Sequence, residues 1–359
     1  VEADFVDAVD QLADLAVQLA LLRVLGGLGE VVVQVAAQIQ LVFRGIVDQL
    51  AGLAHIGADG LFDQHALLVA QRDHGRLKVH GAVLIAGPKW CGKTTTAEQQ
   101  AKSVLKLQDP DKTQGYLKTA EVKPSLLLKG ENPRLIDEWQ MAPVLWDAVR
   151  SAVDERGEEG LFILTGSTTV DSSTIMHSGT GRISRMVMYP MSLFESEESN
   201  GQISLHALFE NPEMDIDGIM SNLTVEELVF AACRGGWPSS LTKKTEKAQL
   251  FVSQNYVDNI CDSDASTVDG VKRSSERVRA VLRSYARNLS TLASEKTILD
   301  DVAANYSDIT SPTLSSYVDA LEKLYVIENV PAWCPAIRSA SAMRSGKKRE
   351  FVDPSIAVA

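Results

Sequence analysis

The chain has 359 residues, enough for two or three domains with separate cores. Its 45% apolar and 23% charged residues are those of an ordinary globular protein, and a net charge of −12 excludes coating of nucleic acid through bulk charge, leaving only a local basic patch. The four cysteines (Cys91, Cys233, Cys261, Cys334) form no C-x-x-C pair and no Cys/His cluster at zinc spacing, so free thiols in a reducing, cytoplasmic setting are expected.

Residues 1–80 contain no Ser, Thr, Asn, Pro, Tyr, Trp, Met or Cys, and Lys78 is their one lysine. Nearly every helix cap and most turn formers are thereby missing. The segment reads either as a helical extension, since "QLADLAVQLALLRVL" has usable helical periodicity, or as a leader from a start set too far upstream or out of frame. The second reading is favoured, and no function is assigned to the segment. Its apolar stretch, residues 15–54, is broken by Gln18, Arg23, Glu30, Gln34, Gln38 and Arg44, so no membrane span is expected. No basic, then apolar, then small-residue leader is present either.

From residue 81 the composition changes. "GAVLIA" (81–86) is an apolar run of buried-strand type, and "KTTTAEQQAKSVLKL" (93–107) reads as a helix. Between them "GPKWCGKTT" places Gly87, Pro88, Lys89, Trp90, Cys91, Gly92, Lys93 and Thr94 in the Gly-x-x-x-x-Gly-Lys-Ser/Thr pattern, and Thr95 directly after it is a further candidate contact. Strand, glycine loop and helix together make a phosphate-binding loop. The glycines permit close backbone approach, and the loop amides face the phosphates. Lys93 is assigned to the β- and γ-phosphates of ATP and Thr94 to Mg²⁺.

"PRLIDEWQ" (133–140) supplies the apolar strand ending in acids that such a site needs. Asp137 is expected to hold the metal through water, and Glu138 to polarise the attacking water. "APVLWDAVRSAVDERG" (142–157) is an amphipathic helix leading into the buried strand "LFILTGSTT" (161–169). Thr165 and Ser167 at its polar end are candidate γ-phosphate sensors, or a plain strand-ending turn. Arg182 and Arg185 precede a strand-like "MVMYP". Arg182 is the candidate for stabilising transition-state charge, in cis or across a subunit boundary, against the alternative of a surface arginine.

Further on, Thr224 and Glu227 have capping-box spacing ahead of "RGGWP", and Arg234 is either a nucleotide sensor or a plain helix end. Between 273 and 292, Val278, Val281, Leu282, Tyr285, Leu289 and Leu292 share one face, with Arg279, Arg283 and Arg287 on another. Residues 297–330 read as helix, turn, helix, strand, with Ser311 as cap and Pro312 as first helical residue. The basic "RSGKKRE" (344–350) follows where a wing would lie. That is winged-helix order, used for DNA or for protein contacts, and the exposed face of the second helix carries little positive charge.

The words "GPKWCGKTTTAEQ", "PRLIDEWQ", "ILTGS", "HSGTGRISRMVMYPMSLFES" and "RGGWP" together resemble the predicted prokaryotic ATPases of the AAA+ superfamily that carry a C-terminal domain of unknown function. The resemblance covers about residues 81–359. It implies an α/β P-loop NTPase fold with a parallel sheet of order 5-1-4-3-2, ATP and Mg²⁺ as ligands, and a helical lid and winged-helix-like domain behind the sheet. By position, Lys93, Thr94, Asp137 and Glu138 take the phosphate, metal and water roles. The expected division is 1–80 leader, 81–205 ATPase domain, 206–270 lid, 271–352 winged-helix-like domain and 353–359 the start of a further, truncated domain.

The resulting expectation is an ATPase in which hydrolysis drives a conformational switch. The alternative is an ATP-gated DNA- or protein-binding module with negligible turnover. A small-molecule kinase is disfavoured by Glu138 and the C-terminal region, and a GTPase by the lack of an Asn-Lys-x-Asp motif. A DNA or protein partner and a homo-oligomer remain open.

Overall fold

The computed structural model describes residues 75–170, 175–332 and 346–359. The expectations for residues 1–74, and for Cys334 and the first two residues of the basic tip, lie outside the described residues. The described chain falls into two units, one within 75–190 and one within 191–359.

The first unit is a parallel sheet with helices. Its elements in order are β1 (Ala82–Ala86), α1 (Lys93–Glu98), β2 (Ser103–Lys106), α2 (Thr113–Val122), β3 (Arg134–Asp137), α3 (Val144–Arg156), β4 (Phe162–Gly166) and β5 (Ile183–Val187). The spatial order is β2-β3-β4-β1-β5, the expected 5-1-4-3-2 read from the other edge. All four pairings are parallel. β1 and β4 are buried at every position, as central strands covered on both faces must be, which is why both read as unbroken apolar runs.

One element departs from expectation. The helix after the loop ends at Glu98 rather than running to 107, and Ser103–Lys106 is the edge strand β2. Leu105 and Leu107 are buried two residues apart while Val104 and Lys106 on either side of Leu105 are exposed, a period of two that an edge strand satisfies and a helix does not. The pairing with β3 supplies the ladder that overrides the helical propensity of Lys and Leu. Of the N-terminal segment, residues 75–80 are described and pack on this unit. Leu77 is in the core with Val83, Ile85 and Leu135, and Arg76 donates to the Ser184 hydroxyl at 2.7 Å.

The second unit is mainly helical. Its longer helices are α4 (Val225–Arg234), α5 (Glu246–Asn259), α6 (Ser275–Arg287), α7 (Glu295–Ala303) and α8 (Ser311–Lys323), followed by β6 (Ile327–Val330) and β7 (Lys348–Phe351), which pair antiparallel. The capping box at α4 has both halves, with the Thr224 side chain taking the Glu227 N–H and the Glu227 carboxylate taking the Thr224 N–H. The cap of α8 is Thr310, one residue ahead of the expected Ser311, because the Thr310 side chain reaches the Thr313 N–H. Val278, Val281, Leu282 and Tyr285 of α6 join Leu314, Tyr317 and Leu321 of α8 in one core, whereas Leu292, assigned to the same face, is exposed. Of residues 353–359, Ile356 is buried in this core and Ala357 packs against it.

Candidate nucleotide site

The site is built at the C-terminal ends of parallel strands, where loops meet helix starts. β1 ends in Ala86, and Gly87 turns the chain with φ +149. A Cβ on Gly87 would lie 2.1 Å from the Met188 carbonyl oxygen, so a side chain is excluded there by backbone and not by a neighbour that can yield. The Met188 N–H donates to the Ala86 carbonyl at 2.7 Å and fixes this approach. Gly92 precedes α1 with φ 100 in the left-handed region, and no side chain caps the helix. The first-turn amides of α1 are therefore left for a ligand.

Pro88 and Cys91 are buried, Lys89 is half-buried, and Trp90 and Thr95 are exposed. Lys93 is 6% exposed, and its ammonium donates to the Pro88 carbonyl at 2.6 Å, arching back over its own loop. The Cys91 thiol lies 3.9 Å from it and is pushed up by burial, with Lys93 opposing the shift. That thiol packs, and the loop's charge is the lysine.

Asp137, the last residue of β3, collects the other half. The Thr94 hydroxyl donates to Asp137 Oδ1 at 2.8 Å, and the Thr165 hydroxyl from the neighbouring β4 donates to the same oxygen at 2.6 Å. Glu138 follows with φ 58 and ψ 47, a left-handed conformation rare for a residue with a Cβ. Its carboxylate Oε2 accepts from the Ser167 hydroxyl at 3.2 Å and from the Gln140 amide. The Thr165 side chain thus engages the Asp137 carboxylate and takes the Glu138 N–H at 3.4 Å, and Ser167 engages the Glu138 carboxylate. Gln140 was missed in the sequence: nothing but its place two residues after Glu138 marks it, and its contact depends on a turn.

The donor set fits a magnesium nucleotide. A hydroxyl and a carboxylate in contact are hard oxygen ligands, and Mg²⁺ is held at such sites by one or two protein groups with phosphates and water. Among the described residues no cluster of three or more His, Cys, Asp or Glu could hold a metal ion.

Two arginines depart from their assigned places. Arg182 directly precedes β5, and its carbonyl accepts from the Ala82 N–H at the start of β1. Because β1 and β5 run parallel in register, it lies at the opposite end of the sheet from the loop, roughly 15 Å away by strand rise. There it pairs with Asp154 of α3 at 2.7 Å, away from this chain's own loop. Arg185 is inside β5, with its guanidinium 4.7 Å from the Trp146 ring centroid.

In the second unit Arg234 makes a two-pronged pair with Glu198, at 2.9 and 2.7 Å, with its side chain 7% exposed. The glycines after it are space-limited. A Cβ on Gly236 would meet the Met191 carbonyl at 2.1 Å, and the Gly236 N–H donates to Asp353 Oδ2 at 2.8 Å. Trp237 donates to the Ser355 hydroxyl at 2.9 Å. The "GGWP" turn is therefore tied to "DPS" (353–355) inside one unit.

Comparison with known proteins follows these lines. Residues 79–197 match the AAA domain, and residues 225–359 match a domain of unknown function (DUF8612). No curated protein matches the chain. Among solved structures it is similar to the Walker-type ATPase PABY2304 of Pyrococcus abyssi, at 15% identity over 80% of this chain and 93% of that one, with a TM-score of 0.47. A DNA polymerase III gamma subunit-related protein of Thermotoga maritima is similar at 11% identity over 72% and 99%, TM-score 0.25. PCH-2 of C. elegans is similar at 16% identity over 78% and 71%, TM-score 0.23. No helix among the described residues is long and apolar enough to cross a membrane. The chain carries an AAA domain at residues 79–197, followed at residues 225–359 by a domain whose function is unknown.

Proposed function

We propose that the protein binds Mg-ATP at the loop of residues 87–95 and hydrolyses it, with the nucleotide state passed to the C-terminal unit as a conformational switch. The observation that carries the reading is the separation of the two acids. Asp137 is engaged by Thr94 and Thr165, while Glu138, one residue on, is held by Ser167 and Gln140. A site that only held Mg-ATP would need the first acid and not the second.

In this reading Lys93 moves from the Pro88 carbonyl to the phosphates, and Thr94 and Asp137 serve the metal. Glu138 accepts the proton of the attacking water or orients it by charge. The metal supplies charge neutralisation on the phosphate oxygens. Arg182 is retained only as a residue one copy could offer to another, since its own loop is out of reach.

The C-terminal unit has the order of three helices, α6 to α8, then the antiparallel pair β6 and β7, which supports a winged-helix-like reading. The exposed positions Ser315 and Asp319 of α8 offer no cation, which favours a protein partner over DNA. Phosphate release from Mg-ATP, with and without duplex DNA, tests the whole reading. Turnover stimulated by DNA would overturn the choice of partner. ATP binding without any turnover would leave the ATP-gated binding module.

A further inference from the structure

Resting on the hydrolytic reading above, we propose that Gln140 is a positioning residue: its amide N–H sets the Glu138 carboxylate for attack, in space that Gly166 leaves open. Glu138 sits in a left-handed conformation just beyond the end of β3, so strand alternation does not fix where its side chain goes. Something else must. The chain continues as a single 3-10 turn over Trp139–Met141, closed by the Met141 N–H on the Glu138 carbonyl at 3.0 Å. That turn folds Gln140 back onto Glu138, and Gln140 Nε2 donates to Glu138 Oε2. The reversed amide would set Gln140 Oε1 against a carboxylate oxygen, two acceptors in contact, so chemistry fixes the orientation.

A second strand contributes by what it lacks. A Cβ on Gly166, at the end of β4, would lie 2.8 Å from Gln140 Oε1 and 3.0 Å from Trp139 Nε1. The very next residue, Ser167, donates to the same Glu138 oxygen as Gln140 does. Both donors act on Oε2, and Oε1 of the carboxylate accepts from no protein group among the described residues. Gln140 Oε1 is likewise buried with no protein donor. Two acceptors that the protein does not satisfy, carried by neighbouring side chains, suit a donor that arrives with the substrate, and the attacking water has two O–H groups to give.

The test is a double-mutant cycle on Glu138 and Gln140 in the full chain, read as single-turnover phosphate release at saturating Mg-ATP, with ATP affinity measured by fluorescent nucleotide. Q140A removes a hydrogen bond to a charged group and should slow release about 10- to 100-fold while affinity stays within about twofold. Q140E keeps the shape but faces Glu138 with an acceptor, and should be at least as slow. In the E138Q background, Q140A should add no further loss, because the carboxylate that Gln140 positions is no longer there to take a proton or orient the water. The same loss in both backgrounds would overturn the inference, since Gln140 would then act on the fold or on ATP directly. So would a Q140A rate equal to wild type, or a Q140A defect confined to ATP affinity. A wild-type protein that binds ATP and releases no phosphate overturns the hydrolytic reading itself and takes this inference with it, and that outcome is distinguishable because it shows before any variant is compared.

Discussion

The Thr165 hydroxyl donates to Asp137 Oδ1 at 2.6 Å, tying the end of β4 to the end of the adjacent β3. The position of the metal-side acid thereby depends on a residue 28 positions away in sequence.

The first prediction follows from that bond. A hydrogen bond to a charged acceptor is worth about 1.5–3 kcal/mol, or roughly 10- to 100-fold in an equilibrium. Thr165→Val keeps the volume and removes the donor. The Mg²⁺ concentration giving half-maximal turnover should rise by about that factor. An unchanged Mg²⁺ dependence in a metal titration would show that Thr165 only ends the strand.

A second prediction concerns Lys93. Its ammonium is nearly buried and is held by one carbonyl, so the loop keeps a charge ready that only an anion can fully use. Lys93→Ala should weaken ATP binding about ten- to a hundredfold. A fluorescent-nucleotide titration with no change in affinity would remove the phosphate-loop assignment.

Much of this site could be read in the sequence because it is local. Residues 87–95 are contiguous, and Asp137 and Glu138 end a run whose burial its Leu and Ile announce. What could not be read depends on which end of which strand faces the loop. Arg182 looked well placed in sequence, yet β5 runs parallel to β1 and carries it to the far end. β2 was hidden because "SVLKL" is too short to separate a period of two from a helix turn, and its pairing with β3 decides the matter. Arg234 reads in sequence as either a nucleotide sensor or a plain helix end, and its pairing with Glu198, 36 residues earlier, is not legible there.

The third prediction is a pH dependence in the second unit. Burial pushes the Asp353 carboxyl up from its ordinary value, with the Ser355 and Gly236 donors and Arg234 opposing. A folded value above the unfolded one means the folded unit takes up that proton first as pH falls. Asp353 therefore contributes least to stability at neutral pH, and its contribution grows as pH drops from the folded toward the unfolded value. Asp353→Asn keeps the shape and does not titrate. In melts between about pH 7 and pH 5, a window above the ordinary Asp value, the wild-type Tm should gain on the variant's as pH falls. A constant difference would contradict the assignment.

The N-terminal segment gives a fourth. Leu77 is buried in the sheet core and Arg76 bonds Ser184, so the folded unit begins before residue 81. Removing residues 1–74 should leave Tm and ATP affinity nearly unchanged, whereas removing 1–80 should lower Tm by several degrees through loss of a buried leucine worth about 2–5 kcal/mol. A large drop from the shorter deletion would show that the leader is part of the fold.

The central claim is that Asp137 and Glu138 have separate tasks, and Glu138→Gln measures it most directly. The substitution keeps the shape and the Ser167 contact but takes no proton and carries no charge. Phosphate release from Mg-ATP should fall about 10²- to 10⁴-fold, the range of general-base roles, while ATP affinity stays near wild type. Asp137→Asn, by contrast, should weaken both Mg-ATP binding and turnover. Equal loss of affinity and turnover in Glu138→Gln would contradict the account, because Glu138 would then be a metal ligand or a structural residue.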